Sequence, residues 1–132
     1  MITVDMYFGA KPHSLEQGDA GVELLRQVNG LLEELGWLYP CDPDTGTPIS
    51  GSRGGSGDGG FRLSTSTTGK AGSKHKSAHA VDVYDPQNVL DKTLTDAMLA
   101  KHGLYREHPD DTPGWCHLQN VAPNSGRRTY KP

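Results

Sequence analysis

The constraint that most limits how this chain can fold is a set of two histidines and one aspartate that a metal site has to bring together. His75 and Asp82 lie close together in residues 73–82 (SKHKSAHAVD), whereas His117 follows much later, in residues 115–117 (WCH). A catalytic zinc site takes three protein ligands and leaves the fourth position to water. Two neutral imidazoles and one carboxylate leave such a site with a charge of about +1, so a bound water can still lose a proton near neutral pH.

Length and composition exclude several classes of protein. The chain of 132 residues fits one domain, residues 1–132, with a single core. The net charge of -3 and the pI near 6.0 give no basic surface for nucleic acid. No apolar run approaches the roughly 18 residues of a membrane span, so we expect no membrane insertion. The first residues show no secretory signal, and Cys41 and Cys116 make no disulfide framework, so we expect synthesis in a reducing cytoplasm. The oligomeric state is left open.

The pattern of apolar residues predicts an α+β fold. Helical spacing predicts a helix over residues 19–35, with Gly36 as its stop. The apolar face of this helix comprises Val22, Leu24, Leu25, Val28, Leu31, Leu32 and Leu35. Residues 1–13 are predicted to be an extended lead-in. A second helix is predicted over residues 93–102, with Thr93 and Asp96 as a capping box and Leu94, Ala97 and Met98 as its buried face.

Alternation predicts three strands, over residues 80–84, 104–107 and 114–121. Asp82 would share a face with Ala80 and Tyr84, and His117 with Trp115 and Gln119, while the valines of the first strand and Cys116 with Leu118 would face the core. We therefore expect a small antiparallel sheet that carries Asp82 and His117, with the long helix packed behind it.

The segment of residues 51–72 is rich in glycine and poor in apolar residues. Its composition is equally compatible with a disordered loop and with a functional loop inside a compact domain. A linker between domains is disfavoured because neither flank is long enough to form a core of its own.

The pattern Ser-x-His-x-x-Ala-x-Ala-x-Asp of residues 73–82, followed by Trp-x-His at residues 115–117, resembles the metal site of the M15-type D-alanyl-D-alanine peptidases. That family includes bacteriophage endolysins and shares its zinc site with Hedgehog signalling domains. Ala78 replaces the usual glycine. Residues 49–53 (ISGSR) resemble the family's Ser-Gly-Tyr-Arg element, and residues 103–119, together with residues 125–128, resemble small phage members. The resemblance implies a Hedgehog/DD-peptidase-like fold and Zn²⁺ held by His75, Asp82 and His117.

One alternative ligand pair remains open, because His75 and His79 are four residues apart and would share a helix face. The family also places an acidic residue three positions before the last histidine, and in this chain that position is Gly114. Hydrolysis needs a general base, and Glu107 at a strand end is preferred for this role over the loop residues Asp110 and Asp111.

The other predicted site residues are assigned to substrate or to support of the ligands. Arg53 is preferred over Arg62 for binding a peptide carboxylate or a developing oxyanion, in line with the family's arginine. Trp115 is a candidate for the cleft wall, and Gln119 is a candidate to orient a ligand or the substrate. Cys116 is expected to be a small buried side chain that points away from the metal.

The resemblance implies a zinc-dependent peptidase that cuts the stem peptide of bacterial peptidoglycan, as a D-Ala-D-Ala carboxypeptidase or an endolysin-type endopeptidase. It would act on the cell wall after release from the cytoplasm or as part of a virion. The alternative is a non-catalytic zinc-containing structural or wall-binding module, which Gly114 favours.

Overall fold

The predicted long helix is α2, Leu15–Glu34, in a computed structural model that describes residues 1–51, 58–70 and 72–132. It begins at a capping box in which Ser14 and Gln17 each accept a hydrogen bond from the other's backbone N–H. It ends where Gly36 adopts a φ of +68°, which confirms the predicted stop. The apolar side chains buried on it are Leu24, Leu25, Val28, Leu31 and Leu32. Val22, predicted on this face, is 53% exposed, so that prediction is wrong.

Within the described residues the sheet has four strands in the order β1-β3-β2-β4, namely β1 Ala80–Tyr84, β2 Tyr105–Glu107, β3 Trp115–Gln119 and β4 Thr129–Tyr130. The three predicted strands are confirmed, and β4 was not predicted. Pairing is antiparallel between β1 and β3 and between β2 and β3, but β2 and β4 are parallel. The expectation of a purely antiparallel sheet is therefore wrong at one edge. Because β1 and β2 occupy both sides of β3, β4 cannot pair with β3, and it pairs with β2.

The core lies between α2 and one face of this sheet. Val81 and Val83 of β1 and Cys116 and Leu118 of β3 join the α2 leucines in one buried apolar cluster. The alternation predicted for both strands is confirmed, and Cys116 lies on the core face as expected. The opposite face of β1 and β3 is thereby left for the polar side chains.

The extended lead-in predicted for residues 1–13 is wrong, because Val4–Phe8 form a short helix, α1. The Thr3 side chain caps it by accepting a hydrogen bond from the Met6 N–H. Tyr7 and Phe8 are only 1% and 2% exposed. A five-residue helix is too short to be stable alone, so burial of these two rings stabilises α1.

The predicted second helix is two helices, α3 Val89–Thr93 and α4 Asp96–Lys101, separated by Leu94 in an extended conformation. Thr95 caps α4, in place of the predicted capping box at Thr93. Of the predicted buried face, Leu94 is buried, Met98 packs against the core and Ala97 is exposed.

The described part of the glycine-rich segment is anchored to the rest of the fold. Phe61 is 1% exposed, and its N–H donates to the Tyr7 carbonyl of α1 at 3.0 Å. A Cβ on Gly60 would lie 2.5 Å from the same carbonyl oxygen, so a glycine is needed for this close approach. This anchoring brings the backbone of residues 60–62 beside His75. No helix within the described ranges is long and apolar enough to cross a membrane.

Candidate metal centre

The candidate metal centre lies on the face of the sheet that points away from the core. Asp82 in β1 and His117 in β3 are direct cross-strand partners, so their side chains lie side by side. His75 comes from the 3-10 turn Lys74–Ser77, which directly precedes β1 and is capped by the Ser73 side chain. The exposed fractions of the three residues are 2% for His75, 8% for Asp82 and 6% for His117.

Three potential ligand atoms meet at this point. His117 Nδ1 lies 2.9 Å from Asp82 Oδ1. His75 Nε2 lies 3.3 Å from His117 Nδ1 and 3.3 Å from the same Asp82 oxygen. The three atoms therefore form a nearly equilateral triangle that one ion can contact.

In each histidine, one ring nitrogen belongs to this triangle and the other makes a hydrogen bond outside it. That outer hydrogen bond determines which of the two nitrogens carries the proton. His75 Nδ1 lies 2.9 Å from the Gly60 carbonyl oxygen, which only accepts, so Nδ1 carries the proton and Nε2 a lone pair. His117 Nε2 lies 2.8 Å from Gln119 Oε1, and donation from Nε2 leaves Nδ1 free. With Asp82, three acceptor atoms converge in a buried site, and a cation satisfies all of them at once. These three residues can hold a metal ion.

The ionisation of the ligands is consistent with a site for positive charge. Burial alone raises the pKa of Asp82, but the charges and hydrogen bonds of His75 and His117 outweigh it and hold this pKa well below its usual range. Burial lowers the pKa of His117, yet the hydrogen bond and the charge of Asp82 outweigh burial and raise it. The contact with Asp82 thus favours the protonated form of His117, and a metal ion would have to displace that proton.

The alternative pair of His75 and His79 is not brought together. Ala78 ends the 3-10 turn in the left-handed region at a φ of +64°, which costs an ordinary residue about 1–2 kcal/mol and suits the glycine of the family pattern. His79 follows this left-handed residue, and its Nδ1 lies 2.8 Å from the Ser77 hydroxyl. His79 is not part of the cluster of potential ligands.

Arg62, the second candidate arginine of the sequence analysis, lies beside Asp82. One guanidinium nitrogen lies 3.5 Å from Asp82 Oδ2, the carboxylate oxygen not directed at the histidines. The Asp58 carbonyl accepts from Arg62 Nε at 2.6 Å, and the guanidinium is nearly buried. Arg62 therefore holds Asp82 in the orientation that offers a single oxygen to a metal. Arg53, the preferred arginine, lies outside the described residues.

Among the candidate bases, Glu107 is the one at the centre. Its Oε1 lies 3.9 Å from His117 Nδ1, and the residue lines the same cleft. Asp111 instead forms an ion pair with Lys131 at 3.1 Å and does not line the cleft, and Asp110 lies beside His108. Gly114 adopts a φ of +89°, a conformation that disfavours the acidic residue of the family pattern.

The three donors and Glu107 open into a cleft of about 770 Å³. Trp115, Gln119 and Tyr130 of β4 line it. The cationic side chains in its wall are Arg62, Lys70, Lys74 and Lys131, whereas the carboxylates are those of Asp82 and Glu107. Because Lys131 pairs with Asp111, the described wall of the cleft carries a small excess of positive charge, although the chain has a net charge of -3.

Comparisons with known protein families, curated proteins and solved structures found no match for this chain. The fold and the site by themselves define an α+β protein with a candidate metal centre in an open cleft.

Proposed function

We propose that this chain is a zinc-dependent hydrolase of peptide bonds in bacterial cell-wall peptidoglycan. The observation that carries the proposal is the convergence of three lone-pair atoms, two imidazole nitrogens and one carboxylate oxygen, at separations of 2.9 to 3.3 Å. Tetrahedral zinc with bonds of about 2.0–2.1 Å separates its ligand atoms by about 3.3 Å. A donor set of His75, Asp82 and His117 with an open fourth side facing a cleft is typical of catalytic rather than structural zinc.

Zinc bound there would supply a Lewis acid that lowers the pKa of a water and polarises a carbonyl. Glu107, whose carboxylate lies 3.9 Å from His117 Nδ1, would accept the proton of the attacking water and return it to the leaving amine. The balanced reaction adds one water across the peptide C–N bond and gives a carboxylate and a protonated amine. Arg62 keeps Asp82 directed at the histidines throughout.

The charge of the cleft supports a peptide that carries free carboxylates. Among the described residues of the cleft wall, Arg62 pairs with Asp82, and Lys131 pairs with Asp111 beside the cleft. Lys70 and Lys74 then face one further carboxylate, that of Glu107, and such a small local excess of positive charge attracts anions even on an acidic protein. Peptidoglycan stem peptides carry several carboxylates. We extend the proposal to a Hedgehog/DD-peptidase-like fold and to action on the wall after release from a cell or as part of a virion.

The test is incubation of the protein and zinc with purified peptidoglycan, followed by assay of newly released amino groups. Glu107→Gln should reduce cleavage by about 100- to 10,000-fold and leave zinc affinity nearly unchanged, because this side chain is not among the three donors. Glu33→Gln, an exposed change on α2, is the matched control and should cleave like wild type.

A second candidate is a non-catalytic zinc-containing module of the wall or of a virion, favoured by Gly114 at the position of the family's acid. One bound zinc with no release of amines would support this module and reject the hydrolase. Absence of zinc binding by the wild-type protein would reject both.

A further inference from the structure

The side chain of Gln119 lies between His117 and the edge strand β4, and its orientation is fixed. Gln119 is 4% exposed, and its Nε2 donates to the Val121 carbonyl at 2.7 Å. A carbonyl oxygen cannot donate, so the amide nitrogen has to face Val121. The amide oxygen then faces His117 Nε2 at 2.8 Å and accepts from the Tyr130 hydroxyl at 2.6 Å.

This arrangement determines which nitrogen of His117 faces the metal centre. Asp82 Oδ1, 2.9 Å from Nδ1, also accepts hydrogen bonds, and a ring that donates from Nδ1 cannot bind a metal through that atom. Binding through Nδ1 requires the ring proton to stay on Nε2, and Nε2 is buried. The only group within the described residues that hydrogen-bonds to Nε2 is the Gln119 oxygen.

We propose that Gln119 and Tyr130 are positioning residues that commit His117 to bind metal through Nδ1. This inference rests on the proposed zinc site. Gln119 supplies the acceptor for Nε2–H, and Tyr130 supplies a second donor that keeps the Gln119 oxygen in place. Tyr130 is also the register partner of Glu107 in the parallel β2–β4 pair, so the edge strand supports both the ligand shell and the base.

The test is a series of variants whose zinc affinity is measured by competition with a chromophoric chelator. Gln119→Met keeps the length of the side chain but removes the acceptor, and it should weaken zinc binding by about 10- to 100-fold. Gln119→Glu restores an acceptor oxygen for Nε2–H but loses the donor to the Val121 carbonyl, so it should recover part of this loss. Tyr130→Phe should weaken binding by about 2- to 10-fold. Tyr105→Phe, on β2 and outside the cleft, is the matched control and should bind like wild type.

Thermal unfolding of each metal-free variant separates positioning from packing. If Gln119 served packing alone, Gln119→Met and Gln119→Glu would lower the unfolding temperature of the metal-free protein. The zinc affinities of the two variants would then not follow the proposed order. The inference is overturned if Gln119→Met binds zinc as tightly as wild type, or if Gln119→Glu binds no more tightly than Gln119→Met. If wild type itself binds no zinc, the proposed function fails first.

Discussion

Lowering the pH should weaken zinc binding, and the Asp82–His117 contact should raise the pH at which this weakening begins. Asp82 Oδ1 lies 2.9 Å from His117 Nδ1 and, despite burial, raises the pKa of this ring through its hydrogen bond and its charge. Zinc has to displace the proton that this contact stabilises. Below the pKa of His117, each pH unit therefore weakens the apparent affinity about tenfold, which is about 1.4 kcal/mol.

The stability of the metal-free protein should change with pH in the opposite direction. A raised pKa of His117 means that its stabilising contribution is fully present below about pH 6.5, the ordinary value, and is lost as the pH rises through the folded-state pKa. The lowered pKa of Asp82 adds a contribution that is present above about pH 3.9 and is lost as the pH falls through the folded-state pKa. The pair thus stabilises the metal-free fold most between about pH 4 and 6.5. One proton limits the slope above that window to about 1.4 kcal/mol per pH unit.

The assay is urea unfolding from about pH 5 to about pH 8, with chelator and with saturating zinc, on wild type and on Asp82→Asn. This variant keeps the shape of the side chain and removes its charge. The free energy of unfolding of metal-free wild type, relative to Asp82→Asn, should fall as the pH rises, whereas the stabilisation by zinc should grow. A pH-independent difference without metal, together with pH-independent zinc affinity, would refute this reasoning.

Three further predictions concern the fold and the cleft. Gly60→Ala should cost about 1–3 kcal/mol of unfolding free energy, because its Cβ would lie 2.5 Å from a backbone oxygen of α1, whereas Gly72→Ala meets open space and should be nearly neutral. Asp85→Ala should cost about 1–3 kcal/mol in urea unfolding, since this buried carboxylate accepts two backbone N–H groups at the start of α3, each at 2.9 Å. Lys74→Ala should raise KM for a carboxylate-bearing peptide several-fold, with the effect reduced by added salt, and the exposed Lys92→Ala should leave KM unchanged.

The parts of the fold that could be predicted are those with a local pattern. The helix α2 has an apolar stripe and a glycine stop, both readable within a few residues, whereas the predicted start at residue 19 missed the capping box at Ser14. The alternation of Asp82 and of His117 with core residues could be read in the same way, and it places both side chains on one face. The remaining ligand, His75, was identified through the resemblance rather than through periodicity.

The parts that escaped prediction depend on contacts between distant segments. The helix α1 forms because Tyr7 and Phe8 are buried, and the two-residue strand β4 exists through pairing with β2. Neither leaves a periodic signal in so few residues. Arg62 lies in a segment whose composition resembles a linker, and only its approach to Asp82 distinguishes it. A signal was present in Phe61, a large apolar residue among glycines.

Asp82 and His117 are direct cross-strand partners, so a metal ion can bind both only when β1 and β3 pair in the native register. A slip of one residue in β3 would turn His117 toward the core and present Cys116 in its place. Only the native alignment assembles the complete set of two histidines and one carboxylate. A metal taken up during folding would therefore select correctly paired molecules and hold them against shear along these two strands.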